Sequence, residues 1–265
     1  MEKEVSLMIH YSKFDGAFDF SGKVALVTGA ANGIGKATAE VLASRKASLV
    51  LLDMQEKVKD VAADFASRYG IEAMGLVCDI ACGEQTQTAV DSAVGRFGKI
   101  DILCNIAGIV ELDDAENLAE DIWDKVMDIN AKATFMMSQK VGRVMIAKGG
   151  GKIVNIASQA GFIAIDRHVA YTASKAAVIG MTKVLALEWA EFNINVNAVS
   201  PTVVLTEMGA KAWQGEVGEN MKKSIPCGRF AYPDEIAAAI MFLASEGANM
   251  ITGENLVIDG GYTIK

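Results

Sequence analysis

Tyr171 and Lys175 stand four residues apart in the run Tyr171-Thr172-Ala173-Ser174-Lys175. On a helix that spacing puts a phenol and an ammonium on one face, about 5–6 Å apart at Cβ. A nearby cation favours the phenolate, so such a tyrosine can exchange protons closer to neutral pH than its ordinary value of about 10. Ser158, shortly upstream at the end of a strand-like run, completes a candidate reaction centre for general acid/base work. A Tyr–Lys pair alone is more often solvated surface, and a serine alone is an ordinary strand-end group. What makes the three specific is their position downstream of a ligand loop.

That loop is Thr28-Gly29-Ala30-Ala31-Asn32-Gly33-Ile34-Gly35, which follows an apolar run directly and opens a helix. Glycines permit a tight turn and a close backbone approach, and the helix N-terminus offers unpaired N–H groups and a positive dipole to a pyrophosphate. The spacing is Gly-x-x-x-Gly-x-Gly rather than the commonest dinucleotide fingerprint. Asp53, a little under twenty residues after Gly35, closes the next apolar run, where an acid meets the ribose hydroxyls of a bound adenosine. A carboxylate there accepts from a 2′-OH and repels a 2′-phosphate. No Arg or Lys occupies the loop before Lys36, and Met54 follows the acid, so NAD is expected rather than NADP. Asp79-Ile80 ends the third run beside the expected adenine position, with Asp79 as a helix-starting cap a reading of equal weight. Asn105-Ile106-Ala107-Gly108 ends the fourth with small residues suited to close packing against a cofactor, although a plain strand-to-loop turn fits as well.

The elements that must position these groups alternate regularly from Lys23 onward. Short apolar runs at 24–27, 49–53, 74–79, 102–105, 153–157, 195–199 and 256–259 read as strands. Amphipathic segments at 34–44, 55–69, 83–97, 122–147, 170–190 and 233–245 read as helices. The pattern predicts one α/β domain over 21–265, a doubly wound, seven-stranded parallel sheet with helices on both faces. Residues 1–20 form an N-terminal extension with Phe14, Phe18 and Phe20 as possible anchors, and 201–230, which holds Pro201 and Pro226, has the length of a substrate flap with a helix within 207–223.

Composition narrows the function classes. A formal net charge of -8, with no Lys/Arg run, argues against nucleic-acid and anionic-membrane surfaces. There is no signal-peptide pattern and no apolar run of about 18 residues, so a soluble, cytoplasmic protein is expected. Cys78, Cys82, Cys104 and Cys227 lack the spacing of a disulfide framework and read as reduced core or near-core thiols. Only two histidines, His10 and His168, are present, and no metal site is expected.

These residues, in this order, resemble the short-chain dehydrogenase/reductase family over nearly all of 23–264, through Thr28-Gly29, Gly33-Ile34-Gly35, Asp79, Asn105-x-Ala107-Gly108, Asn130, Ser158 and Tyr171-x-x-x-Lys175. The resemblance implies that Tyr171 is the acid/base on a substrate hydroxyl. It implies that Lys175 holds the nicotinamide ribose and lowers the tyrosine pKa, that Ser158 hydrogen-bonds the reacting oxygen, and that Asn130 holds a water in a proton relay toward Lys175. Oxidation should then rise with pH as Tyr171 ionises. Two positions depart from the family pattern. Ile106 replaces a second asparagine, and Thr202 replaces the glycine that usually follows Pro201, stiffening the loop beneath the nicotinamide. Thr206 stands where the family commonly places a hydroxyl for the carboxamide.

Among family members the chain is most similar to NAD-dependent sugar-alcohol dehydrogenases acting on threitol-, galactitol- or arabinitol-like polyols. Gln159, Asp166, Arg167, His168, Glu207 and Trp213 would add polar and amphipathic groups near the substrate face; a capping or surface role for His168 is equally open. The segment 170–190 is apolar nearly all round and needs burial on more than one side, which predicts a homo-oligomer, and the resemblance suggests a homotetramer. Two rivals remain. A 3-oxoacyl carrier-protein reductase shares the catalytic residues, but Asp53 and the acidic charge count against it. A non-catalytic nucleotide-binding regulator should have lost some of Asn130, Ser158, Tyr171 or Lys175, all of which are present.

Overall fold

The computed structural model describes residues 15–206, 209 and 213–264. Phe14, Glu207 and residues 1–14 of the expected extension lie outside the described residues. Seven parallel strands form one sheet in the order β3-β2-β1-β4-β5-β6-β7. They are β1 (Val24–Thr28), β2 (Ser48–Asp53), β3 (Ala73–Val77), β4 (Ile102–Asn105), β5 (Gly151–Ile156), β6 (Ile194–Pro201) and β7 (Asn255–Ile258). All seven expected strands are present, with ends shifted by one to a few residues. The order reverses between β1 and β4, and a doubly wound sheet binds ligands outside its carboxyl ends at that point.

Both faces are covered because alternate residues of each buried strand point opposite ways. Ala25, Val27, Leu49 and Leu51 pack with α1 (Gly33–Ser44), α2 (Lys57–Tyr69) and the helix Pro233–Ala244. Val24, Leu26, Val50 and Leu52 pack with α3 (Gly83–Phe97), α5 (Ala133–Lys148) and α6 (Val169–Trp189). The expected helix over 122–147 is broken: α4 (Glu120–Met127) passes through a π turn at Asp128–Lys132 before α5 begins. Apolar periodicity runs on through a π turn, so it could not reveal the break, and such turns often mark functional positions.

Within the expected flap the helix α7 (Gly215–Ser224) lies in the second half of 207–223, while residues 207, 208 and 210–212 lie outside the described residues, and α8 (Pro233–Ala244) follows it. Phe20 is buried and anchors the chain entry, its N–H donating to Arg45 O at 2.8 Å. Cysteines 78 and 104 are buried as expected, Cys82 is half-buried, and Cys227 is exposed, a correction to the expectation of a near-core thiol.

Candidate active site

Three glycines shape the first part of the site, each needed for a different reason. Gly29 has φ +68°, and a Cβ on it would lie 2.9 Å from Ala107 Cα. A Cβ on Gly35 would fall 2.0 Å from the Gly29 carbonyl oxygen, and one on Gly33 would meet Thr206 Cγ2 at 3.0 Å. The loop is therefore closed on Ala107 and Thr206, and α1 begins from it with no side-chain cap at Asn32. The first-turn N–H groups have no intrahelical partner, and the positive end of the helix faces outward. This bare cradle suits the pyrophosphate of a dinucleotide. Thr28, missed in the sequence reading as a site residue, joins the loop to the end of β4: its Oγ1 accepts from Ile106 N at 2.9 Å and Ala107 N at 3.1 Å.

Asp53, at the end of β2, braces the loop with both carboxylate oxygens, accepting from Ala31 N at 3.0 Å and from Gln55 N at 3.0 Å. No lysine lies within the loop, but Lys57 Nζ, arriving from the first turn of α2, donates to Asn32 Oδ1 at 2.6 Å. Asp79 follows β3, and its Oδ1 accepts from Ala81 N at 2.9 Å in an Asx turn ahead of α3; it does not cap that helix, whose N-cap position is Cys82. Ile80 is half-buried beside it, Ile34 packs partly into the core, and Pro201 ends β6 opposite Ile258.

Asn105 is buried at the end of β4, but its side chain serves the fold. Both amide hydrogens are used, one on Ser138 Oγ at 2.9 Å and one on Asn155 Oδ1 at 2.8 Å. Asn155 passes the chain on to Thr182 Oγ1 at 3.0 Å, so the network ties β4 and β5 to α5 and α6. Both amide hydrogens of Asn105 are thereby committed to the fold rather than to a ligand. Asn155→Leu should leave one Asn105 amide hydrogen unpaired and remove the donor to the Thr182 hydroxyl, which keeps only its own bond to Val178 O at 2.8 Å. The expected cost is about 1–3 kcal/mol, read as a lowered urea midpoint at unchanged m.

The reacting groups converge at the carboxyl ends of β4 and β5. Ser158 begins a short 3-10 turn, Gln159–Gly161; its Oγ accepts from Ala160 N at 3.2 Å, and its hydroxyl also hydrogen-bonds the Tyr171 phenol. Tyr171 lies in the first turn of α6, half-buried, with the His168 ring edge-on at 6.0 Å between centroids. Lys175 is buried. Its Nζ lies 5.7 Å from the Tyr171 ring centroid and donates to Ile156 O at 2.8 Å.

Asn130 sits in the π turn, fully buried. Its Oδ1 accepts from Ile109 N at 2.8 Å, and its Nδ2 donates to Ile109 O at 2.8 Å and Ser174 Oγ at 3.1 Å. Ser174 in turn donates to Tyr171 O at 2.8 Å, so this unanticipated serine links Asn130 to the tyrosine's own turn. The absent side chain of Gly108 makes room for the group, since a Cβ there would stand 3.0 Å from Asn130 Oδ1 and 3.5 Å from Lys175 Nζ.

Burial sets the protonation states. The Tyr171 phenol is pushed above its usual 10 by burial, with the Ser158 hydrogen bond pulling the other way. This is opposite to the expected lowering by Lys175, whose ammonium is itself lowered by burial from 10.5 to about 8. Lys175→Met tests the second point. Below about pH 8 folded and unfolded chains both hold the Lys175 proton, and the cost of burying the charge is fully present. Between about 8 and 10.5 the folded chain releases the proton first, so the stability of the native protein relative to Lys175→Met should climb with pH. Urea melts of both proteins across that window check it; a pH-independent difference would show that Lys175 is not desolvated.

The remaining expected substrate groups divide. Gln159 is 2% exposed, and its Oε1 has no hydrogen-bond partner. His168 Nδ1 is 2.6 Å from Asp166 O, which fixes the ring just ahead of α6 and beside the phenol. Trp213 is half-buried, its ring packing on buried Phe230 at 6.2 Å between centroids. Among the described residues no cluster of His, Cys, Asp or Glu could hold a metal ion. A cleft of about 670 Å³ opens at the opposite end of the sheet, by Phe20, Lys23, Lys152 and Asn195, and holds none of these groups.

The sequence matches the family model described as enoyl-(acyl carrier protein) reductase over residues 29–263. It is 57% identical to an NAD-dependent glycerol dehydrogenase of Listeria innocua serovar 6a over 96% of this chain and 99% of that one. It is 53% identical to a D-threitol dehydrogenase of Mycolicibacterium smegmatis over 94% and 96% of the two chains. The fold matches the crystal structure of a short-chain type dehydrogenase/reductase from Mycobacterium marinum with a TM-score of 0.89 at 34% identity, covering 94% of this chain and 98% of that one.

Proposed function

The chain belongs to the short-chain dehydrogenase/reductase family, and from that premise we propose that it is an NAD-dependent dehydrogenase that oxidises a secondary alcohol of a small polyol to the ketone. The observation that carries the chemistry is the convergence of Ser158, Tyr171, Lys175 and Asn130 beside a glycine cradle that a Cβ would fill. The likeness to the glycerol and D-threitol dehydrogenases supports the polyol class and NAD as cofactor.

When bound, NAD supplies the hydride acceptor. Gly29, Asn32, Gly33 and Gly35 would hold its pyrophosphate, Asp53 its adenosine ribose, Asp79 and Ile80 its adenine, and Ala107, Gly108, Pro201 and Thr206 its nicotinamide half. Ser158, whose hydroxyl meets the Tyr171 phenol, turns that hydroxyl to donate to the reacting oxygen when substrate binds, and Tyr171 Oη takes the proton that the substrate hydroxyl loses. Burial makes the free phenol a reluctant acid, so its ionisation depends on positive charge arriving with the bound cofactor. Lys175, an ammonium below about pH 8, supplies more of that charge and binds the ribose. The Asn130 side chain is committed to Ile109 and Ser174, and its backbone carbonyl accepts from Thr134 Oγ1 at 2.8 Å, so any relay water would share one of these groups.

Gln159 offers its unpartnered Oε1, and His168 its second ring nitrogen, to the further hydroxyls of a polyol. Initial rates with NAD over glycerol, threitol, arabinitol and galactitol test the substrate class. Activity on at least one is expected; none, beside efficient reduction of an acetoacetyl thioester, would overturn it.

The enzyme is further proposed to be a cytoplasmic homotetramer. Val184 and Leu187 of α6 are 52% and 80% exposed, an apolar face that an isolated subunit leaves in water. Light scattering should give about four times the subunit mass, and a monomer at micromolar concentration would contradict the assembly.

A further inference from the structure

Lys57 occupies an unusual place for a cation in a protein read as NAD-specific. Its Nζ is held 2.6 Å from Asn32 Oδ1, and Asn32 precedes the first residue of α1 in the glycine loop. Asn32 does not cap its own helix; its Nδ2 instead donates to Gln55 Oε1 at 3.1 Å, drawing the start of α2 over the loop. The adjacent acid does not neutralise the lysine, because Glu56 pairs with Lys59 at 2.6 Å. Among the described residues Lys57 makes no ion pair. The α1 N-terminus adds a second positive end beside it. Against these stands one carboxylate, Asp53, held by Ala31 N and Gln55 N so that it cannot swing away.

We propose that Lys57 is a latent ligand for the 2′-phosphate of a phosphorylated adenosine cofactor, and that Asp53 alone excludes that phosphate. The inference rests on the dinucleotide reading of the loop, and it identifies NAD preference as a single-residue barrier in front of a site already equipped with a cation. Specificity here comes from a repulsive element. Once Asp53 is removed, the lysine that now leans on Asn32 has a phosphate oxygen to meet, a charge-assisted bond of the strong class.

The test uses two fragments and no turnover: the affinities of 2′,5′-ADP and 5′-AMP, measured by calorimetry on the full chain. In Asp53→Ser the ratio favouring 2′,5′-ADP should rise at least about tenfold over the native protein, and in Asp53→Ser/Lys57→Met most of that gain should vanish. Asp53→Asn, which keeps an acceptor for the backbone N–H groups, provides the same reading if the serine variant folds poorly. A gain that survives Lys57→Met, or no gain in an Asp53 variant that still binds 5′-AMP, would overturn the proposal. Loss of 5′-AMP binding in both Asp53 variants would also overturn it, since no adenosine site would then remain for Lys57 to extend. Failure of the polyol assay leaves these ratios unaffected, so the two readings fall separately.

Discussion

Tyr171→Phe is expected to lower kcat on the best polyol by about 10²- to 10⁴-fold, the range for losing a positioned general acid/base. The change deletes one oxygen and little volume. The phenyl ring still faces His168 and Lys175, α6 still begins at Val169, and Ser174 still bonds the backbone at position 171. Stability should therefore move little, and the loss should fall on turnover. Stopped-time assays with circular dichroism on the same samples separate the two effects. Unchanged turnover in a folded variant would remove Tyr171 from the reaction.

Gly35→Ala should be the most damaging change to the cofactor cradle. The added carbon would lie 2.0 Å from the Gly29 carbonyl oxygen, and neither partner is a flexible side chain, so the strand-to-helix turn itself has to move. We expect a stability loss of about 1–3 kcal/mol, as for overpacking. With the cradle displaced, dinucleotide affinity should fall at least about tenfold. Gly83→Ala, at the start of α3, has nothing within 4 Å of the new carbon and serves as the control; its stability should change by no more than about 0.5 kcal/mol. Calorimetric NAD titration and urea melts of the two variants decide the point. Equal behaviour would mean that the loop relaxes freely and the glycine is not a constraint.

The sheet was legible because each strand is a short apolar run bounded by a residue that ends it, and Gly33, Gly35, Ser158, Tyr171 and Lys175 were legible because each is a chemically specific type at a fixed offset. Other features depend on contacts between distant segments. Lys57 reaches Asn32 across 25 residues and Asn155 reaches Thr182 across 27, and no local spacing marks either pair. Asn155 did carry one readable signal, as an amide inside an apolar strand run, a buried polar group that must find a partner. The π turn at Asn130 left no trace in the apolar pattern, which runs through it unchanged, and the weak helix formers Asp128, Ile129 and Asn130 are too few to mark it. The Tyr171 shift was misjudged because the spacing to Lys175 is visible in sequence, whereas the burial that opposes ionisation is a property of the assembled site.

The central claim is that this chain moves a hydride from the carbinol carbon of a polyol to NAD while Tyr171 takes the hydroxyl proton. The direct measurement is label transfer from glycerol or threitol deuterated at a secondary carbinol carbon, with NADH analysed by mass spectrometry. Deuterium should appear in the NADH formed by the native protein, one atom per ketone produced, and Tyr171→Phe should form that labelled NADH at least about a hundredfold more slowly. Ketone formation with unlabelled NADH, or labelled NADH formed equally fast by Tyr171→Phe, would contradict it.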